Sequence, residues 1–242
     1  MADFDHQAFF KVLYDSSEPE LIHYLKQNSS SLPQGKLEQV VSTSIQRKKW
    51  EVFKYCIDSE LIQTELFEYD SFNDRMLSAL FLQFKTISQT DPGEWLPHFA
   101  YFLDQLDDIN EQLAGHNLLS FLIQEGHHIA MINATIDRGI TMDYINGAEE
   151  NYLHLACNQR KNNQPGYGIE LIKLFLDHGV DINKQNIEGK TPIFMVMGNY
   201  RLCNSEVLRL LLDNGADPLH MDKAGLSPIY IAAVHLHDAN LV

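Results

Sequence analysis

LLLDNGADPL (210–219) and, twelve residues past its glycine, SPIYIAA (227–233) are the stretches that decide how this chain folds. The first is an apolar helix end closed by two polar residues and a glycine, the residue that tolerates the left-handed backbone of a helix terminus. The second starts with a helix-capping serine and a proline suited to the first helical turn. Working outward, the same pair recurs. LFLDHGVDIN (174–183) is followed by TPIF (191–194), INATIDRGIT (132–141) by NYLH (151–154), and further upstream stands NLLS (117–120). Gly139 to Asn151, Gly179 to Thr191 and Gly215 to Ser227 are each twelve residues. In the other direction, Asn117 to Gly139 is 22, Asn151 to Gly179 is 28 and Thr191 to Gly215 is 24. A connector of fixed length is held by its neighbours, whereas one of drifting length is a surface loop.

These motifs resemble the ankyrin-repeat signature, a Thr-Pro-Leu-His-x-Ala helix start with a terminal Gly-Ala-Asp. Thr191-Pro192, Ser227-Pro228, the run Tyr152-Leu153-His154-Leu155-Ala156 and Gly215-Ala216-Asp217 carry the likeness. The starts at 117, 151, 191 and 227 lie 34, 40 and 36 apart, close to the ~33 of that family. The resemblance implies an all-α solenoid of helix-turn-helix repeats with short β-hairpin fingers, whose internal glycines are Gly115, Gly189 and Gly225. It covers residues 105–242. It also implies an inter-repeat hydrogen bond from His154.

Upstream the markers fade. Counting twelve back from Asn117 puts Gln105 at the glycine position, with a first helix near 75–82 and a long loop through Asp91-Pro92-Gly93. Apolar periodicity predicts helix pairs at 9–14 with 20–26 and at 37–46 with 50–57. The expected division is therefore a helical N-terminal cap or degenerate repeats over 1–72, and repeats over 73–242. At the other end, 227–234 reads as a first helix and 238–242 as the opening of a second. A repeat cut there suggests either a piece of a longer protein or a stump that acts as an irregular cap.

The 242 residues carry 18 Lys plus Arg against 33 Asp plus Glu, a formal charge of −15. Such a surface repels phosphate backbones and anionic lipid, so the expectation is neither nucleic acid nor membrane but a protein partner with a basic or mixed surface. The short basic run Arg47-Lys48-Lys49 reads as a polar helix end. Three scattered cysteines without metal spacing suit a reducing compartment, and the start MADFDH has no secretory pattern. A cytoplasmic monomer is expected, with no cofactor and no metal. Repeats rich in Asn, Gln and His with variable loops resemble the ankyrin proteins that intracellular bacteria secrete, which implies an effector in a host-cell cytosol.

No nucleophile motif, phosphate loop or metalloprotease helix occurs, so no catalytic residue is assigned. The pair His235 and His237 reads as a solvated loop, His127-His128 as polar surface, and Cys157 beside His154 as repeat core. Asp181-Ile182-Asn183 resembles a segment that can be hydroxylated on its asparagine. The function expected is a protein-interaction scaffold or adaptor working through the concave groove. Its finger residues would be Leu113, His116, Glu150, Ile187, Lys190 and Leu226. Its helix-end residues would be Gln124, Asn158, Asn199 and His235. The other reading is a targeting portion of an enzyme whose catalytic domain lies beyond residue 242.

Overall fold

Asp5 opens the first helix by accepting the backbone N–H groups of Gln7 and Ala8, both at 3.0 Å, and from there helices alternate with turns and loops. The computed structural model describes residues 5–62, 66–68, 71, 72, 76–88, 90–161, 166–197 and 205–239. The chain forms two compact units, Met1–Glu111 and Gln112–Val242. The division at 72/73 drawn from the sequence concerns repeat character and falls inside the first unit.

The first unit contains α1 (His6–Asp15), α2 (Glu18–Asn28), α3 (Gln34–Gln46), α4 (Trp50–Asp58), α5 (Met76–Ile87) and α6 (Pro92–Leu103). A two-residue antiparallel ladder joins α4 to α5: β1 (Phe67–Glu68) pairs with β2 (Ser71–Phe72). Its core is aromatic. Phe84 lies 5.3 Å from Phe99, 5.7 Å from Phe53 and 6.4 Å from Trp95, centroid to centroid. Side chains reaching across helices complete it. Glu18 at the start of α2 accepts the N–H groups of Glu51 and Val52, a carboxylate at the positive end of α4. Lys49 donates to the carbonyls of Leu13 and Ser16 and Arg47 to that of Tyr14, closing the end of α1. Lys48 pairs with Glu94. The basic run is thus three structural ties.

The long loop expected through Asp91-Pro92-Gly93 gives way to helix at Pro92, where α6 begins. Asp91 accepts the Gly93 N–H at 3.0 Å, and Pro92 sits in the first turn of α6, where its missing N–H costs nothing. Gln105 does not take the left-handed backbone expected at a glycine position; among the described residues the non-glycines that do are Lys48, Glu60, Ala114 and Glu149.

The second unit runs α7 (Leu118–Glu125), α8 (Ile129–Ile136), α9 (Tyr152–Cys157), α10 (Tyr167–Asp177), α11 (Pro192–Met197), α12 (Ser205–Asp213) and α13 (Pro228–Ala239). The first helices α7, α9, α11 and α13 pack in series, with a second helix behind each of the first three. Gly139, Gly179 and Gly215 all have positive φ, 84°, 73° and 90°, so the glycines end their helices as the spacing implied. Asn117 and Asn151 each cap through a reciprocal box with the residue three ahead. At Thr191 the box is missing, and its buried hydroxyl has no partner among the described residues.

Two expectations change here. α13 continues without a break to Ala239, because no glycine or proline interrupts 229–239, so His235 and His237 lie in a helix and not a loop. His127 is buried rather than on the surface, its carbonyl accepting the Tyr167 hydroxyl at 2.6 Å, while His128 caps α8.

Candidate functional groove

The fingers of the second unit are built on one turn used three times. Asn146, Asn186 and Asp222 each stand five residues before a helix cap. The Asn146 Oδ1 accepts the N–H groups of Ala148 and Glu150, both at 2.9 Å. Asn186 does the same for Glu188 and Lys190 at 2.9 and 3.0 Å, and Asp222 for Ala224 and Leu226 at 2.9 and 3.0 Å. A short polar side chain that bonds the backbone two and four residues on fixes the turn locally. The residue three after each anchor is left-handed: Glu149, Gly189 and Gly225. Glutamate thus takes a glycine's conformation in one finger of the three.

Successive fingers are joined by a repeated backbone bond. The Ile187 N–H donates to the Ala148 carbonyl and the Lys223 N–H to the Glu188 carbonyl, both at 2.9 Å. The first finger departs from the pattern: Leu113 and His116 exchange both backbone bonds at 2.9 Å, and Gln112 reaches the Ile145 carbonyl. Gly115 at its tip lies so near the next finger that a Cβ there would stand 2.6 Å from the Gly147 nitrogen.

Side chains tie the helices to these fingers. His154 Nε2 donates to the Lys190 carbonyl of the next repeat at 3.0 Å, the bond the family resemblance implied. Burial lowers the pKa of its ring, the Lys190 carbonyl opposing that shift. Asn151 Nδ2 reaches the Asp181 carbonyl at 2.7 Å. Asn183 bridges to the next repeat, donating to the Gly215 carbonyl at 2.8 Å and accepting the Asp217 N–H at 3.1 Å. Its amide therefore has a structural task.

Between fingers and first helices lies a groove of about 400 Å³. Its finger wall includes Glu150, Ile187 and Lys190, and Asn158 and Arg160 stand beyond α9. Phe194 and Met195 of α11 and Ile231 of α13 supply the apolar part. Four residues singled out from the sequence, Glu150, Asn158, Ile187 and Lys190, are thus brought into one place. Ile187 is 49% exposed, and Lys190 pairs with Glu188 at 2.6 Å.

The other six are not in this groove or not described. Leu113 is half-buried and His116 exposed on the first finger, Gln124 is half-buried near the end of α7, and Leu226 is exposed on the last finger. Asn199 lies outside the described residues, as does Cys203, and of His235 only the backbone is described. Gln159, next to Asn158, is buried and bonds the Ile123 carbonyl.

Burial pushes the Cys157 thiol upward, away from the thiolate a nucleophile needs, and the Cys56 thiol likewise to about 12. Among the described residues no three His, Cys, Asp or Glu side chains cluster as metal ligands. None of the described helices is long and apolar enough to cross a membrane.

Comparison with curated proteins gives no match. Comparison with protein families matches residues 153–242 to the model described as ankyrin repeats, in three copies. That span takes in Gly179, Gly189, Gly215 and Gly225 and the fingers anchored by Asn186 and Asp222, and residues 153–242 match the ankyrin-repeat family.

Proposed function

We propose that the chain is a scaffold or adaptor that binds a partner protein in the groove between its fingers and its first helices. Repeats of this family are protein-interaction modules, and the groove gathers an exposed isoleucine, an apolar floor and ionisable side chains on its rim. The single observation that supports the reading best is Ile187. It is an apolar side chain about half exposed on a finger hydrogen-bonded to its neighbour, and it lines the same groove as Met195 and Ile231. Interfaces take much of their energy from a few such anchors in well-packed centres.

The test compares two single variants by quantitative capture of partners. Ile187→Glu places a charge on the finger; Leu212→Glu places one on α12, where Leu212 is equally exposed. Partner capture falls by about tenfold or more for the finger variant and is unchanged for the control. Equal capture by both variants would contradict the proposal.

A further inference from the structure

Away from the groove, α13 presents a face that α7, α9 and α11 keep covered. Two residues after each cap stand Leu119, Leu153, Ile193 and Ile229, and three after it Ser120, His154, Phe194 and Tyr230. Both places are buried in the first three helices, whereas Ile229 is 54% and Tyr230 56% exposed. The Ile229 N–H donates to the Pro218 carbonyl at 3.2 Å, which joins the start of α13 to the segment carrying Leu219 and Met221. These two are each 66% exposed. A contiguous apolar surface of this kind marks an interaction site.

The covered faces also reach forward with polar side chains. Asn117 donates to the Tyr152 hydroxyl at 2.7 Å, His154 to the Lys190 carbonyl at 3.0 Å and Asn183 to the Gly215 carbonyl at 2.8 Å. Leu219 stands where Asn183 does, four residues past the glycine, and cannot make that bond. Ser227, at the cap position of Asn117, turns its oxygen to its own helix and accepts the Tyr230 N–H at 3.3 Å. Charge is absent as well. Residues 224–234 carry no charged side chain, on a chain of formal charge −15. Two copies repel through their acidic surfaces but not through this one.

We propose that this face pairs with the same face of a second copy of the chain, in place of the monomer expected from the sequence. The contact continues the packing of α9 on α11 and of α11 on α13, with Ile229, Tyr230, Leu219 and Met221 meeting their own counterparts. A further repeat set in the register of the others would lack the bond that Asn183 makes, because Leu219 offers only apolar area. A self-matching contact of this type closes at two copies, since it occupies the same surface on both.

Sedimentation equilibrium of the full chain over about 1–100 μM tests this. The expected result is a reversible monomer–dimer equilibrium. Tyr230→Glu raises its dissociation constant at least ~10-fold, and Leu219→Glu does the same from the finger. Both side chains are exposed in the single chain, so the variants keep the parent circular dichroism, and Leu219→Glu decides should Tyr230→Glu disturb folding. Ile187→Glu, on the groove, leaves the equilibrium unchanged. A single-chain mass at every concentration overturns the proposal, as does a dimer indifferent to both face variants. Growth past two chains overturns the self-matching contact, and a dimer abolished by Ile187→Glu overturns the choice of face. None of these results bears on the capture of a partner in the groove.

Discussion

The ends of α4 and α10, one in each unit, close with the same hydrogen bonds on different residues. At α10, Gly179 donates to Leu176 at 2.9 Å and Val180 to Phe175 at 3.0 Å. At α4, Glu60 donates to Ile57 at 2.9 Å and Leu61 to Cys56 at 2.8 Å. Gly179 has φ 73° and Glu60 has φ 55°. A side chain in that conformation costs roughly 1–2 kcal/mol, so the α4 turn must be held by its surroundings. The units supply that support differently. The second repeats one backbone device, fingers bonded in register, and therefore needs particular residues at particular spacings. The first relies on interlocked aromatic rings and cross-helix ties, which many sequences can satisfy.

The largest test of this contrast is Phe84→Ala in the first unit. Its ring contacts Trp50, Phe53, Trp95 and Phe99, and removal should cost about 3–5 kcal/mol. Both tryptophans of the chain, Trp50 and Trp95, lie in that unit, so fluorescence-monitored urea unfolding reads it selectively. Next comes a pair of finger glycines. Gly115→Ala meets the Gly147 nitrogen at 2.6 Å besides adopting positive φ, and should cost about 2–4 kcal/mol. Gly225→Ala has the same backbone sign but nothing within 4 Å, and should cost only about 1 kcal/mol. Equal losses, measured by circular dichroism, would remove the claim that close finger approach holds the second unit.

Smaller effects sharpen the comparison. Glu60→Gly and Glu149→Gly relieve left-handed backbone and should each stabilise by about 0.5–1 kcal/mol. His154 adds a pH dependence to the second unit. Burial lowers its folded pKa below the ordinary value near 6.5, so on acidification the unfolded chain takes up a proton before the folded one does. Its stabilising contribution is complete above the unfolded pKa and is lost as pH falls from about 6.5 toward the lower folded value. Amide exchange in the second unit should quicken over that window, and His154→Gln should flatten the response.

How far each part could be read from the sequence follows from the same physics. The repeat caps, the glycines and the twelve-residue connector were legible because repeated backbone bonds restrict the residues that can make them. The finger anchors Asn146, Asn186 and Asp222 left a signal in their shared distance from the caps, visible only once their Oδ1 bonds are known. Glu149 and Glu60 hid two left-handed turns because glycine is the usual marker and neither position has it. The loop expected through Asp91-Pro92-Gly93 stops at Asp91 because Asp-Pro-Gly serves as a cap and first turn as readily as a break. Within the groove, Glu150, Asn158, Ile187 and Lys190 were reachable by counting from repeat positions. Phe194, Met195 and Ile231 were not singled out, since apolar residues in a helix ordinarily signify core.

We place the proposed binding surface in the finger-and-first-helix groove of the second unit. Amide exchange of the full chain, free and with a bound partner, tests it most directly. The account predicts protection over residues 146–150, 186–190 and 192–197, with 5–62 unchanged. Protection confined to 5–62, with the fingers exchanging as in the free chain, would contradict it.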